Sequence, residues 1–571
     1  MTDLAPLKTG GIGAVLRRLS PLTVYLWLLA LVILPNILLF GTSFLKSSGG
    51  VLVYEVTLAN YGRTLASGTV QLLILRTILT AFAAALVAAL IAFPLAFYVS
   101  RYMKRWKVVA VMLVVVPLWI SLLMRVFAWR IILGENGVLN SFLVSTGVLE
   151  VPSDAFLYSR FAVILTLAYM AIPYVFVSSY TALERVPQSL IEASQDSGAG
   201  LWNTFRNVVW PLSKQGLAIG FALAFLLAVG DYITPSMVGG LDGTMLGMVI
   251  ASQFGMAGNW PLGAAQSVVL IGAVSLVLGV IFWLARSRGI LQSVDAGTGA
   301  EMRAPQSLRD HVVLWLVRVA VVLPYLFLYL PLIIITVFSF NASQIQTLPL
   351  TGFTLDWYAA LWGDQNLIDA FQRTMVVALV TVALSVVVGI VFAMVFAYRA
   401  LPFAGLVQTG LAIPVAIPGI VLGISIVIAA QLLGIKPGIW RVIIGHMTFV
   451  MPVVMLIILN RLQRLDPSYV QASLDLGANY GQTFRHVLFP MIRTAVLGGA
   501  LLGFTLSVDE VIVTLFLTGI EPTLPIYVWN QMRFGFTPSV NAIFTLIGVA
   551  SVALILIAMI VIGPDREKAK T

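Results

Sequence analysis

Three acidic side chains stand where acids are costly. Asp231 lies in "LLAVGDYITPSMVGG", and Asp509 and Glu510 lie in "TLSVDEVIVTLFLTG", two runs otherwise apolar enough for hydrocarbon. Ionisable groups inside a membrane span are expensive, so each is a functional candidate by default. An offset of 279 residues carries Asp231 onto Glu510, which makes them a related pair. Two carboxylates facing one interface would attract a cation by Coulomb force in a low-dielectric setting. Tyr232, beside Asp231, offers an aromatic face to the same cation. Arg125 also falls in an expected span. It serves either as a structural partner for Asp231 or as a clamp for a carboxylate or phosphonate. The substrate-pathway candidates are therefore Asp231, Tyr232, Asp509, Glu510 and Arg125. Catalytic and metal-ligating sets are not expected. His311, His446 and His486 are scattered, cysteine is absent, and no H-E-x-x-H pattern occurs. His446 reads as a packed or hydrogen-bonded core residue.

Those acids need a bilayer around them, and the composition provides for one. Of 571 residues 60% are hydrophobic and 10% charged, with a mean hydropathy of +1.01. Soluble chains are about 25% charged. Runs such as "LTVYLWLLALVILPNILLF" reach the roughly 20 apolar residues that a span requires. Twelve spans are expected, near 21–44, 71–100, 108–132, 160–182, 213–235, 262–285, 312–340, 371–398, 403–431, 439–460, 492–516 and 539–562. Most Lys and Arg fall on the N-terminal side of this alternation. Basic loops stay cytoplasmic, so both termini are expected there. The net charge of +10 then reports topology rather than a nucleic-acid partner.

The chain repeats itself. Gly198 matches Gly477, Phe205 matches Phe484, Pro211 matches Pro490 and Pro173 matches Pro452, all at an offset of 279. Upstream the offset is 297, carrying Arg76 onto Arg373 and Pro117 onto Pro414. The change falls in the loop after the third span, which is long in the first half and a short "LGIKPGIWR" in the second. Residues 1–285 and 311–571 read as two parallel six-span halves, joined by a polar, basic cytoplasmic linker at 286–310. An all-α polytopic membrane protein of about twelve helices is expected.

Two polar inserts, 186–212 and 465–491, interrupt the halves on the cytoplasmic side. Each starts near a proline, runs as a short amphipathic helix, breaks at a glycine, and re-enters the membrane after Pro211 or Pro490. The first holds Glu192-Ala193-Ser194, Gly198 and Pro211; the second holds Gln471-Ala472-Ser473, Gly477 and Pro490. This pattern resembles the "EAA" loop in membrane subunits of binding-protein-dependent ABC importers, with Gln471 where the acid usually stands. The resemblance implies that each loop is a coupling helix seated on an ATPase. Glu192, Ala193, Gly198, Phe205, Gln471, Ala472, Gly477 and Phe484 would make those contacts. It also implies two copies of a cytoplasmic ABC ATPase, which carry the ATP and Mg that this chain does not bind. The phosphate-cradling G-x-x-x-x-G-K-[ST] pattern is absent. A periplasmic or lipid-anchored substrate-binding protein completes the set, in the bacterial inner membrane.

Finer resemblance bears on the solute. "LLMRVFAWRIILGENGVLN" and "GDYITPSMVGG" look like the first permease subunit of spermidine/putrescine-type importers, and "VDEVIVTLFLTG" like the second. This implies two permease subunits fused in one chain, importing a polyamine by alternating access. Related branches carry other amine-bearing or zwitterionic solutes, or ferric iron. A secondary transporter would share the twelve spans but has no use for paired coupling loops.

Overall fold

The computed structural model describes residues 21–103, 105–285, 308–344, 346, 348, 350–398, 401–534 and 538–562. The expected linker lies almost wholly outside them, as do both termini. The first half runs α1 (Pro21–Thr42), a hairpin of β1 (Lys46–Ser48) and β2 (Val51–Val53), α2 (Ala59–Ala66), α3 (Gly68–Tyr102), α4 (Lys107–Val115), α5 (Leu122–Leu133), α6 (Val138–Ser145), α7 (Arg160–Glu184), α8 (Gln188–Asp196), α9 (Leu201–Gly230), α10 (Ile233–Val238), α11 (Leu246–Phe254) and α12 (Trp260–Ala285). The second runs α13 (Leu308–Phe338), α14 (Asp356–Leu361), α15 (Gln365–Tyr398), α16 (Ala404–Ala416), α17 (Gly419–Leu432), α18 (Ile439–Leu462), α19 (Ser468–Asp475), α20 (Tyr480–Val508), α21 (Ile512–Leu517), α22 (Leu524–Phe534) and α23 (Ser539–Ile562). Helix for helix the halves correspond. The first has one extra, α6, in the loop where the repeat offset changes.

Among the described residues nine helices are continuous, long and apolar enough to cross a membrane, and the bent pair of α4 with its 3-10 extension and α5–α6 makes a tenth. The spans expected at 108–132 and 403–431 are not continuous. The first bends by 93° around Ile120–Ser121. The second breaks at Ile417, held extended at φ −74°, ψ 137° by Pro418, whose ring disfavours a helical residue before it. The spans expected at 213–235 and 492–516 also stop short. Helix α9 ends at Gly230 and α20 at Val508, and each resumes as a six-residue helix, α10 or α21. Pro235 lies inside α10, so the break precedes it.

The sequence halves are not separate packing units. Val24, Leu28 and Val32 of α1 are buried in the core of the second half with Phe392, Leu411 and Met451. Trp27 meets Phe392 edge-on at 6.2 Å, and the Tyr25 hydroxyl donates to the Pro402 carbonyl at 2.8 Å. Helix α13 reciprocates: the Tyr325 hydroxyl donates to the Ala110 carbonyl at 3.1 Å, and Leu328 accepts from Tyr169 at 2.9 Å. The first span of each half thus lies on the other half. Tyr169 also packs against Trp129 and Phe327, so it is a packing residue.

Candidate functional site

The two polar inserts fold alike. Helix α8 ends at Gly198 with φ +82°, and α19 ends at Gly477 with φ +85°. A left-handed residue there lets the next amides fold back onto the last carbonyls. Gly198 N–H donates to Gln195 and Ala199 N–H to Ser194; Gly477 donates to Leu474 and Ala478 to Ser473. Each turn is tied to the next helix by a hydroxyl pair, Ser194–Thr204 at 3.1 Å and Ser473–Thr483 at 3.0 Å. Both re-entering helices then widen into a π-turn, Phe205–Val209 and Phe484–Leu488, just before Pro211 and Pro490. Such turns absorb the missing proline N–H and recur at functional sites.

What the loops lack is cover. Glu192, Ala193, Gln471 and Ala472 are exposed, and Phe205 and Phe484 are half-buried under them. Helix α19 buries no residue and α8 buries only Ile191. Leu476 is 89% exposed and Trp202 68%. Isolated helices this short are marginal in water. Glu192 accepts from Gln188 one turn back at 2.6 Å. At the start of α19, hydrogen bonds from Ser468 hold the Asp466 carboxyl below the usual carboxylate range.

The acids stand at the helix breaks. Asp231 Oδ1 accepts from the Ile233 and Thr234 amides at 2.8 and 3.0 Å, and the Thr234 hydroxyl donates to Oδ2. Glu510 Oε1 accepts from the Val513 amide at 2.8 Å. The repeat counterparts Asp231 and Glu510 therefore cap the counterparts α10 and α21. Asp509 reaches across to the other half, where both its oxygens accept the Leu122 amide at the start of α5. Arg125, 5% exposed, donates from Nε to the Ser121 carbonyl at 3.4 Å. Its charge acts on both Asp231 and Asp509, with no direct hydrogen bond to either. Tyr232 lies within electrostatic reach of Asp231 and of Glu510 from the other half. Its hydroxyl is buried without a hydrogen-bond partner among the described residues. The five pathway candidates are thus gathered where the halves meet.

Some residues of this region were not singled out from the sequence. The hydroxyl pairs carried a signal, since Ser194 and Thr204 recur as Ser473 and Thr483 at the 279 offset. Arg101, 2% exposed, donates to the Leu183 carbonyl at the end of α7, and Lys107 pairs with Glu184 at 2.8 Å, just before the first loop. No spacing rule announces contacts that far apart in the chain. His446 is hydrogen-bonded as expected, to Ser507 at 2.7 Å and Thr514 at 2.8 Å, so it clips α18 to both pieces of a broken span.

Two matching loops and two sets of broken, capped helices mark a duplicated membrane permease. Residues 93–287 and 385–563 each match the family described as "Binding-protein-dependent transport system inner membrane component", and the chain belongs to that family. It is 34% identical to the spermidine/putrescine transport system permease protein PotC of Escherichia coli K12 over 43% of this chain and 93% of the relative. It is 32% identical to the corresponding PotB of Salmonella typhimurium SL1344 over 46% of this chain and 91% of the relative. Each relative is spanned nearly end to end by about half of this chain, as two fused permease units require. A solved bacterial ABC transporter "involved in the import of the acidic polysaccharide alginate" aligns with a TM-score of 0.38 at 14% identity, over 48% of this chain and 98% of that one.

Proposed function

We propose that this chain is the complete membrane pathway of an ATP-driven importer, moving a small amine-bearing solute of the polyamine class inward by alternating access. The observation that carries the reading is the pair of matching, uncovered loops. An eight-residue helix with no buried residue needs a partner to hold it, and two such helices suit two copies of a cytoplasmic ATPase. A binding protein delivers the solute to the opposite face. Asp231, Tyr232, Asp509, Glu510 and Arg125 line the path, in which cation attraction comes from carboxylates of both halves. The chain itself performs no catalysis, ATP and Mg residing on the ATPases, and both termini lie in the cytoplasm.

The test is reconstitution of the chain with its ATPases and binding protein in proteoliposomes, following labelled putrescine and spermidine. ATP-dependent accumulation that disappears with a non-hydrolysable nucleotide supports the reading. Accumulation driven by an ion gradient without ATP would replace it with a secondary transporter. ATP-dependent import of another solute, with no polyamine uptake, would keep the machine and remove the substrate class.

A further inference from the structure

The end of the bundle that carries the two inserts also carries a cation without an acid. Between α3 and α4 the chain turns through an elbow, "RYMKRWK", in which Arg105 and Trp106 are exposed. The Arg105 guanidinium lies 5.6 Å from the centre of the Trp106 ring and makes no hydrogen bond or ion pair among the described residues. A guanidinium stacked on an aromatic face keeps its edge donors free, and that edge matches the paired oxygens of a phosphate.

The ground around Arg105 is fixed. Lys107, first in α4, pairs with Glu184 at the end of α7 at 2.8 Å and donates to the Ser100 carbonyl at 3.3 Å. Its ammonium also lies 5.8 Å from the centre of the Tyr180 ring. Arg101 donates to the Leu183 carbonyl within electrostatic reach of the same Glu184. With Arg105, three cations of the elbow stand against that one acid, on three helix ends locked together. Next to the charge the surface is apolar. Trp106, Val109 and Leu113 are exposed and spaced three and four residues apart, so they share one face of α4, which belongs to the bent span. A Trp at the level of the interface, a cation at its head and an apolar stripe leading away along a span fit a phospholipid, phosphate at one end and acyl chain along the other. The other half builds nothing equivalent. At the 297 offset Pro402, Phe403 and Ala404 stand for Arg105, Trp106 and Lys107, and at 279 Gln463 stands for Glu184. Neither the stacked cation nor the ion pair recurs.

We propose that the α3–α4 elbow is a binding site for the headgroup of an anionic glycerophospholipid, one per chain. The phosphodiester lies against Arg105 with the charge of Lys107 behind it, and an acyl chain follows Trp106, Val109 and Leu113. The bound lipid braces the start of α4, which leads to the Leu122 break, against the end of α7, which leads into the first insert. On the reading given above this is a lipid of the cytoplasmic leaflet; the site itself does not rest on that reading.

The experiment purifies the full chain in dodecyl maltoside micelles holding equal amounts of palmitoyl-oleoyl phosphatidylglycerol and phosphatidylcholine. Lipid carried through gel filtration is then quantified by mass spectrometry. Phosphatidylglycerol is expected to be retained in preference to phosphatidylcholine. Arg105→Gln, at an exposed position, is expected to lower that preference about fivefold, the contribution of one basic residue beside an anionic headgroup. Arg63→Gln removes an exposed cation beside the opposite end of α3 and is expected to leave it unchanged. Equal retention of the two lipids would overturn the site, and equal losses in both variants would reduce the preference to overall charge. Retention abolished by excess inorganic phosphate would make the elbow a free-anion site instead. An unchanged preference in Arg105→Gln, with the ATPases lost on co-purification, would give the cation to the ATPase surface. No nucleotide, binding protein or solute enters the measurement, so failure of the importer reading leaves its result intact.

Discussion

Asp509, in the second half, caps a helix of the first: the Leu122 amide donates to its two carboxylate oxygens at 2.8 and 3.1 Å. The repeat counterpart of Asp509 is Gly230, which has no side chain and lies against the opposite break. A Cβ on Gly230 would stand 3.0 Å from the Pro418 Cα and 3.1 Å from the Gly419 nitrogen. At the same place on the two-fold, one break is joined by a carboxylate and the other by direct backbone contact.

Asp509→Ala leaves the first amide of α5 without its acceptor. The expected cost is about 1–2 kcal/mol, read as a lower melting temperature of the detergent-purified chain. Asp509→Asn keeps an acceptor oxygen and should lose less. An Ala variant melting with wild type would show that this contact does not hold the halves together.

Gly198 and Gly477 separate strain from coupling. A Cβ at either would meet nothing within 4 Å, so only the left-handed backbone resists substitution, by about 1 kcal/mol. Gly198→Leu and Gly477→Leu should leave the chain folded and inserted. Against the ATPases the added bulk should cut solute uptake at least tenfold while ATP hydrolysis continues. Uptake at the wild-type rate in both variants would remove the coupling assignment.

Asp231→Asn with Glu510→Gln keeps acceptor oxygens for the caps of α10 and α21 while removing two charges. Import of a cation should fall at least tenfold in kcat/KM, with assembly unchanged. Unaltered uptake kinetics would confine these acids to capping.

His446→Leu places in the second half the residue type found at its counterpart, Leu167, and strands the Ser507 hydroxyl, whereas the Thr514 hydroxyl keeps its bond to the Glu510 carbonyl at 2.8 Å. A loss of about 1–3 kcal/mol is expected from the buried unpaired group. Adding Ser507→Ala should recover most of it, because removing both partners is far cheaper than removing one. A double variant no more stable than His446→Leu would contradict this account.

The architecture was legible because it is written in long-period signals: apolar runs, basic loops and the 279 and 297 offsets. The loops were legible for the same reason, since Gly198 and Gly477 need a left-handed turn whatever surrounds them. The breaks were harder. Around Ile120–Ser121 and Ile417–Pro418 the surrounding residues stay largely apolar, and hydropathy does not register a bend. The acids were found by cost, but their caps depend on where short helices restart. Asp509 was set beside Glu510 in the sequence, yet its hydrogen bonds go to a residue in the other half. The exchange of α1 and α13 between halves had no sequence signal, because each presents an apolar surface that lipid and protein satisfy equally.

That exchange sets a timetable for biosynthesis. Val24 and Trp27 leave the ribosome long before Phe392 and Met451, with which they pack. At about 5–20 residues per second, the chain between Trp27 and Phe392 takes roughly 20–70 s to make. For that interval the Val24–Val32 part of α1 waits in the bilayer without its partners. A ribosome stalled before the second half would therefore release a product with this face of α1 unclaimed, a natural mark for membrane quality control.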